Sequence, residues 1–163
     1  MTLTAPIPSK SKNTALLVLG IVIVVIVVAG ILLSAYVPRS PLFVGPRPQT
    51  VTIVNGQLNL QTTYYAANFT VPNGAQQIKV NITFTAQGGS GNDIKFFAFA
   101  REQFFNWANH KSYLAIRETG QITSLNEEIS LPSSGSYSLV YDNSYSFFST
   151  KTVQARATLT YLL

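Results

Sequence analysis

Few side chains in this sequence are equipped for chemistry. There is one His, six Asp and Glu, eleven Lys and Arg, and no Cys. Without Cys there is no disulfide, no thiolate nucleophile, no iron–sulfur cluster and no cysteine zinc site. A single His excludes a multi-His metal centre. Gly88-Gly89-Ser90-Gly91 is glycine-rich, but no Gly-Lys-Ser/Thr follows it, so it lacks the groups that hold a nucleotide's phosphates. His110 lies in a polar turn, Asn109-His110-Lys111, with no nucleophile elbow to serve. Glu127 and Glu128 are neighbours in a strand-like stretch, and neighbours on a strand point to opposite faces. That separates two carboxylates that acid–base catalysis would need side by side. No enzyme activity, metal or cofactor is expected.

Two other residue sets offer recognition rather than catalysis. Asn68-Phe69-Thr70 and Asn81-Ile82-Thr83 are glycosylation sequons. Both Asn residues fall on the polar side of an alternating pattern, which predicts that they point outward. The second set is aromatic. From Asp93 to Arg101, Ile94, Phe96 and Ala98 take one face, while Phe97 and Phe99 take the other, and Phe104, Phe105 and Trp107 follow. If the first face fills a core, Phe97, Phe99, Phe104, Phe105 and Trp107 form an aromatic cluster on the outside. They would be covered by a short helix or by Leu42-Phe43-Val44, or else exposed to a partner subunit, a lipid surface or a glycan.

The elements that must position these residues divide the chain into four. Residues 1–14 form a short polar tail carrying Lys10 and Lys12. Residues 15–36 contain ALLVLGIVIVVIVVAGILL and end at Tyr36; as a helix of 22 residues they would be roughly 33 Å long, enough to span a bilayer. The run has no polar face of the kind a core helix shows. It exceeds the roughly 7–15 apolar residues of a cleaved signal, and Leu33 stands where a small residue would be needed. Residues 37–48 hold four of the eight prolines, Pro38, Pro41, Pro46 and Pro48, and read as an extended stalk. Residues 49–163 turn to period two. Ile78 to Thr85 and Val153 to Tyr161 alternate strictly, and shorter runs lie near Val51–Val54, Tyr64–Val71, Asp93–Ala100, Gln121–Leu131 and Tyr137–Tyr141. Asn55-Gly56, Pro72-Asn73-Gly74, Gly88 to Gly91, Thr119-Gly120 and Ser133-Ser134-Gly135 read as turns between them. About eight short strands, with one short helix near Glu102–Asn109, predict an all-β chain: an antiparallel β-sandwich behind one transmembrane α-helix.

Charge follows the same division. The formal net charge is +5 and only 10% of residues are charged, against about 25% in ordinary soluble domains. Lys10, Lys12, Arg39 and Arg47 flank the apolar run, whereas from Gln49 onward seven basic residues face six acidic ones. The basic character thus belongs beside lipid headgroups, and no basic stripe for nucleic acid remains. The sequons and the short N-terminal tail place the N-terminus in the cytoplasm and the C-terminal part outside the plasma membrane.

Gly135, Tyr137, Leu139, Asp142, Asn143, Ser144, Tyr145, Ser146, Ser149 and Lys151, with a last alternating strand behind them, resemble the closing hairpin of GOLD (Golgi dynamics) domains. Asn92-Asp93-Ile94-Lys95-Phe96 is similar to that family's Asp-Ile-x-Phe strand. The resemblance implies a GOLD- or jelly-roll-like sandwich that binds protein or lipid without catalysis. Eukaryotic cargo receptors of the family place the domain first and carry a coiled coil and cysteines; here the apolar run comes first and both are absent. The arrangement looks like that of prokaryotic, especially archaeal, cell-surface proteins. In the hairpin, Asp142, Asn143 and Ser144 are of the types that bond their own backbone in turns. Lys151 is expected to meet Asp142 or the turn carbonyls. These residues hold the hairpin and react with nothing.

The functional expectation is an accessory subunit of a membrane or envelope complex, with lipid and neighbouring membrane or envelope proteins as partners. The alternatives are a filament, envelope or virion component that joins its neighbours by strand addition through the segment up to Val54, and a glycan-binding module.

Overall fold

The computed structural model describes residues 45–163 apart from residue 90. The apolar run at 15–36, the tail before it and most of the proline-rich segment, Leu42-Phe43-Val44 included, lie outside the described residues. Among the described residues, no helix is long and apolar enough to cross a membrane.

Eight strands and one short helix follow in order: β1 (Pro48–Leu60), β2 (Tyr64–Val71), β3 (Gln76–Gln87), β4 (Lys95–Ala100), α1 (Arg101–Ala108), β5 (Arg117–Glu118), β6 (Ser124–Ser130), β7 (Gly135–Asp142) and β8 (Lys151–Leu162). They form two four-stranded antiparallel sheets, ordered β1-β8-β3-β6 and β2-β7-β4-β5. The pairing is nested. β1 pairs with β8, β2 with β7, β3 with β6 and β4 with β5, as if one long hairpin had been rolled up so that successive pairs fall in alternate sheets.

Alternation decides what is buried. In β3 the even positions Ile78, Val80, Ile82, Phe84 and Ala86 are buried, while Lys79, Asn81, Thr83 and Thr85 are exposed. In β8, Val153, Ala155, Ala157 and Leu159 face the same way. They meet Val71, Phe96, Leu139 and Tyr141 of the other sheet in one core. Tyr141 packs edge to face against both Phe84 and Phe96 at its centre.

Several expectations need correction. Asn55-Gly56 is not a turn: it lies within β1, opposite Arg156 and Ala155 of β8. The long β8 template holds the chain extended and overrides local turn preference. A register shift between Thr52 and Val54 absorbs the extra residue. The sheet also begins before Gln49. Pro48 opens β1, and Arg47 exchanges backbone hydrogen bonds with Leu163 at 2.7 and 3.1 Å, so the end of the proline-rich segment is part of the domain. Gln121–Leu131 is not one strand: Ile122 bridges to Ile94, and β6 starts at Ser124. The two-residue β5 has no sequence signature of its own.

The strand directions give the domain two ends. Pro48, Leu162, Val71 and Gly135 lie at the end where the chain enters. Leu60, Lys151, Tyr64, Asp142 and Lys95 lie at the opposite end. At about 3.3 Å per residue, the thirteen residues of β1 separate the two by roughly 40 Å.

Candidate functional site

The far end of the domain is built around Asn143. This side chain is fully buried, and its Nδ2 donates to the carbonyls of Leu60 at 3.1 Å and Ser149 at 2.9 Å, and also to that of Gln61. Its backbone N donates to Thr63 O at 3.0 Å. One side chain thus ties the β1–β2 connection to both limbs of the β7–β8 loop. Asp142 Oδ1 accepts the Ser144 N–H at 2.8 Å, the Asx-type bond its residue type suggests. Ser146 and Ser149 close the turn through their hydroxyls, 2.8 Å apart.

Lys151 does not meet Asp142. Its Nζ lies 3.0 Å from Asp93 Oδ1. The reason is the pleat: Lys151 shares the inner face of β8 with Val153 and Ala155, whereas Asp142 shares the outer face of β7 with Val140. The buried ammonium, on a residue 2% exposed, therefore crosses the end of the core to the segment before β4. Burial pushes the Asp93 carboxyl up, but the hydrogen bond and charge of Lys151 outweigh it and hold the group below its ordinary value. Tyr145 donates its hydroxyl to Asp93 O at 2.8 Å. Burial, then the nearby Asp93 charge, push that phenol up to about 12. The glycines beside this network are needed for contact rather than for phosphate: a Cβ on Gly88 would stand 2.6 Å from Thr150 O, and one on Gly89 2.6 Å from Ser149 Cβ, both at positive φ.

This bracing presents two residues to which no motif points. Phe147 is 85% exposed and Phe148 fully exposed, side by side at the tip of the β7–β8 loop. The signal was available: two adjacent Phe in a loop of Ser, Thr and Asn cannot both be buried by alternation.

The aromatic cluster is different. Phe97 and Phe99 lie on the outer face of β4, stacked 5.4 Å apart with an interplanar angle of 10°, and they are only 3% and 0% exposed. They are therefore not an exposed patch. The short helix α1 lies over them, with Phe104 buried and Trp107 half-buried at 5.4 Å from Phe97 and 5.9 Å from Phe99. Tyr113, from the segment after α1, meets both Phe rings edge-on. The helix forms at Arg101–Ala108, one residue earlier than its sequence suggests, with Glu102 favourably placed in its first turn. Of the five aromatic candidates, Phe105 stays exposed, with the Arg101 guanidinium over its ring at 5.1 Å.

Asn68 and Asn81 are both exposed on outer faces. Asn68 Oδ1 accepts a 2.7 Å hydrogen bond from the buried Ser138 hydroxyl. Glu127 and Glu128 diverge as expected, one to Arg117 at 2.9 Å and the other to Lys79 at 2.6 Å. His110 is exposed beyond the end of α1. Compared with known protein families and curated proteins, the chain matches no family model and no curated sequence.

Proposed function

We propose that this chain is a non-enzymatic, single-pass plasma-membrane protein, anchored by residues 15–36, that displays its β-domain outside the cell as a subunit of a membrane or envelope complex. The nested pairing of eight strands is that of a jelly roll, an architecture used by capsid and lectin domains; in it the GOLD-like stretch is not a hairpin but the connection from β7 to β8, which lie in different sheets and do not pair. The observation that carries the reading is the far end of the domain. The chain enters at Pro48, and the braced loop at the opposite end holds Phe147 and Phe148 in solvent. Loop residues 143–150 contain no charge. A rigid, uncharged, aromatic tip facing away from the point of attachment suits contact with a neighbouring subunit.

A photo-crosslinking residue in place of Phe148, in the full chain in native membranes, should capture a discrete membrane or envelope protein. The same residue in place of the exposed Asn126 should not. The double change Phe147→Ser and Phe148→Ser should remove the partner from mild-detergent extracts while leaving thermal stability within about 0.5 kcal/mol. Equal crosslinking from both positions, or undiminished recovery with the double variant, overturns the reading.

A second reading has its own support. β1 is an edge strand of thirteen residues, mostly exposed and without a charged side chain, whereas the opposite edge, β6, carries Glu127 and Glu128. Long uncharged edges invite a further strand. Val51–Val54 is already paired with β8, so this segment would receive a neighbour's strand rather than donate itself. That suits a repeating filament, envelope or virion component.

A further inference from the structure

A cleft of about 640 Å³ opens on the outer face of the β2-β7-β4-β5 sheet, at the end far from Pro48. The volume is within the roughly 300–1,000 Å³ of small-ligand sites. Four aromatic rings line it, those of Tyr64, Phe97, Trp107 and Tyr113, and both tyrosines are 38% exposed. Tyr64 and Trp107 meet edge to face with ring centres 5.0 Å apart. The polar lining is balanced: Asp142 and Glu118 against Lys95 and Lys111. Asp142 is the informative member. It is 4% exposed and borders the cleft, and its Oδ1 takes the Ser144 N–H. Among the described residues, no donor reaches its Oδ2. A carboxylate oxygen that takes no protein donor and stays open to solvent on an otherwise buried residue, at the edge of an aromatic-walled cavity, is placed to accept a hydrogen bond from a ligand.

We infer that this cleft binds a neutral saccharide. A pyranose offers an apolar C–H face to an aromatic ring and a rim of hydroxyls that both donate and accept. The cleft matches both halves: rings for the apolar face, Asp142 as acceptor, and Lys95 and Lys111 as donors. A phosphorylated or acidic ligand would have to approach two carboxylates, and a cationic one would face two lysines; a neutral, hydroxyl-rich ligand meets neither penalty. The inference is independent of membrane anchoring, because every residue it uses lies in the β-domain and in α1 with the segment after it.

Trp107 is the sole Trp of the chain, so indole emission reports this cleft directly. The full chain, held in a detergent without a sugar headgroup, is titrated with cellotriose, N,N′,N″-triacetylchitotriose and mannotriose. At least one should give a saturable change in emission, with an affinity that does not differ between low and high salt. Asp142→Asn keeps the acceptor for Ser144 N–H and should weaken binding about tenfold or more. Tyr113→Ala alters an exposed side chain outside the strands and should do the same without loss of far-ultraviolet circular dichroism, so the test stands even where Asp142→Asn fails to fold. No saturable change with any of the three sugars, or wild-type affinity in Tyr113→Ala and in folded Asp142→Asn, overturns the assignment.

Discussion

At the scale of single residues, the chain concentrates its structural polarity at one end of the domain. Asn143 and Lys151 are both buried: Asp93 offsets the desolvation of the ammonium and backbone carbonyls that of the Asn143 Nδ2, while among the described residues Asn143 Oδ1 has no partner. The Asp93 carboxyl is held below its ordinary value by Lys151, so this pair stabilises the fold above the pH at which a free Asp titrates. That stability is lost as pH falls through the lowered folded value. Asp93→Asn should therefore cost about 3 kcal/mol at neutral pH, because it strands a buried ammonium. Thermal melts at pH 7 and pH 3 check the sign: acidification should cost the wild type more than the variant. A variant with the same melting temperature as the wild type at pH 7 would show that the pair contributes nothing. The turn-forming role of Asp142 and Ser144 was legible from residue type. The partner of Lys151 was not, because Asp93 lies 58 positions away and only the pleat of two different sheets brings the groups together.

At the scale of elements, α1 and β1 show opposite outcomes of the same rule. The helix is short, has no side-chain cap at its N-terminus and would not persist alone. It exists because Phe104 and Trp107 have an apolar surface to lie on, supplied by Phe97, Phe99 and Val140. Phe104→Ala should cost about 3 kcal/mol and uncover the outer face of β4, seen as increased binding of a hydrophobic dye before the main unfolding transition. Unchanged stability and dye binding would mean that the helix does not seal that face. β1, in contrast, has one side of its backbone paired and, among the described residues, the other open. Val51 is 45% exposed there, so Val51→Lys should leave the stability of the monomer within about 0.5 kcal/mol. It should also abolish concentration-dependent association in sedimentation; a wild type that remains monomeric at high concentration would instead remove the strand-addition reading.

At the scale of the whole domain, the two ends and two outer faces divide the surface by chemistry. The outer face of the β1-β8-β3-β6 sheet is a field of Thr, Asn and Gln linked laterally, as in Gln154 to Gln57 at 2.9 Å and Thr83 to Asn126 at 3.2 Å. Its charge is confined to Arg156 and the Lys79–Glu128 pair. The outer face of the other sheet is apolar under α1 and opens into the cleft beyond it. The far tip is aromatic. The proposed recognition therefore rests on shape, rings and neutral hydrogen bonds rather than on a strong field, and salt should alter it little.

Period-two alternation, read from residue types alone, pointed to antiparallel β over residues 49–163 and to the buried side of β3 and β8, because side-chain direction along a strand is fixed by backbone geometry. The same alternation placed Asn68 and Asn81 outside, and composition excluded thiol and multi-His chemistry. Three things waited for the tertiary structure. Asn55-Gly56 became strand because β8 runs past it without a break. Phe97 and Phe99 became interior because a helix of marginal intrinsic stability found them. Phe147, Phe148 and the cleft beside Asp142 became surfaces because three connections, remote in sequence, meet at one end of the roll. Each depends on contacts between residues far apart in the chain, and local sequence carries no signal for distance closed by folding.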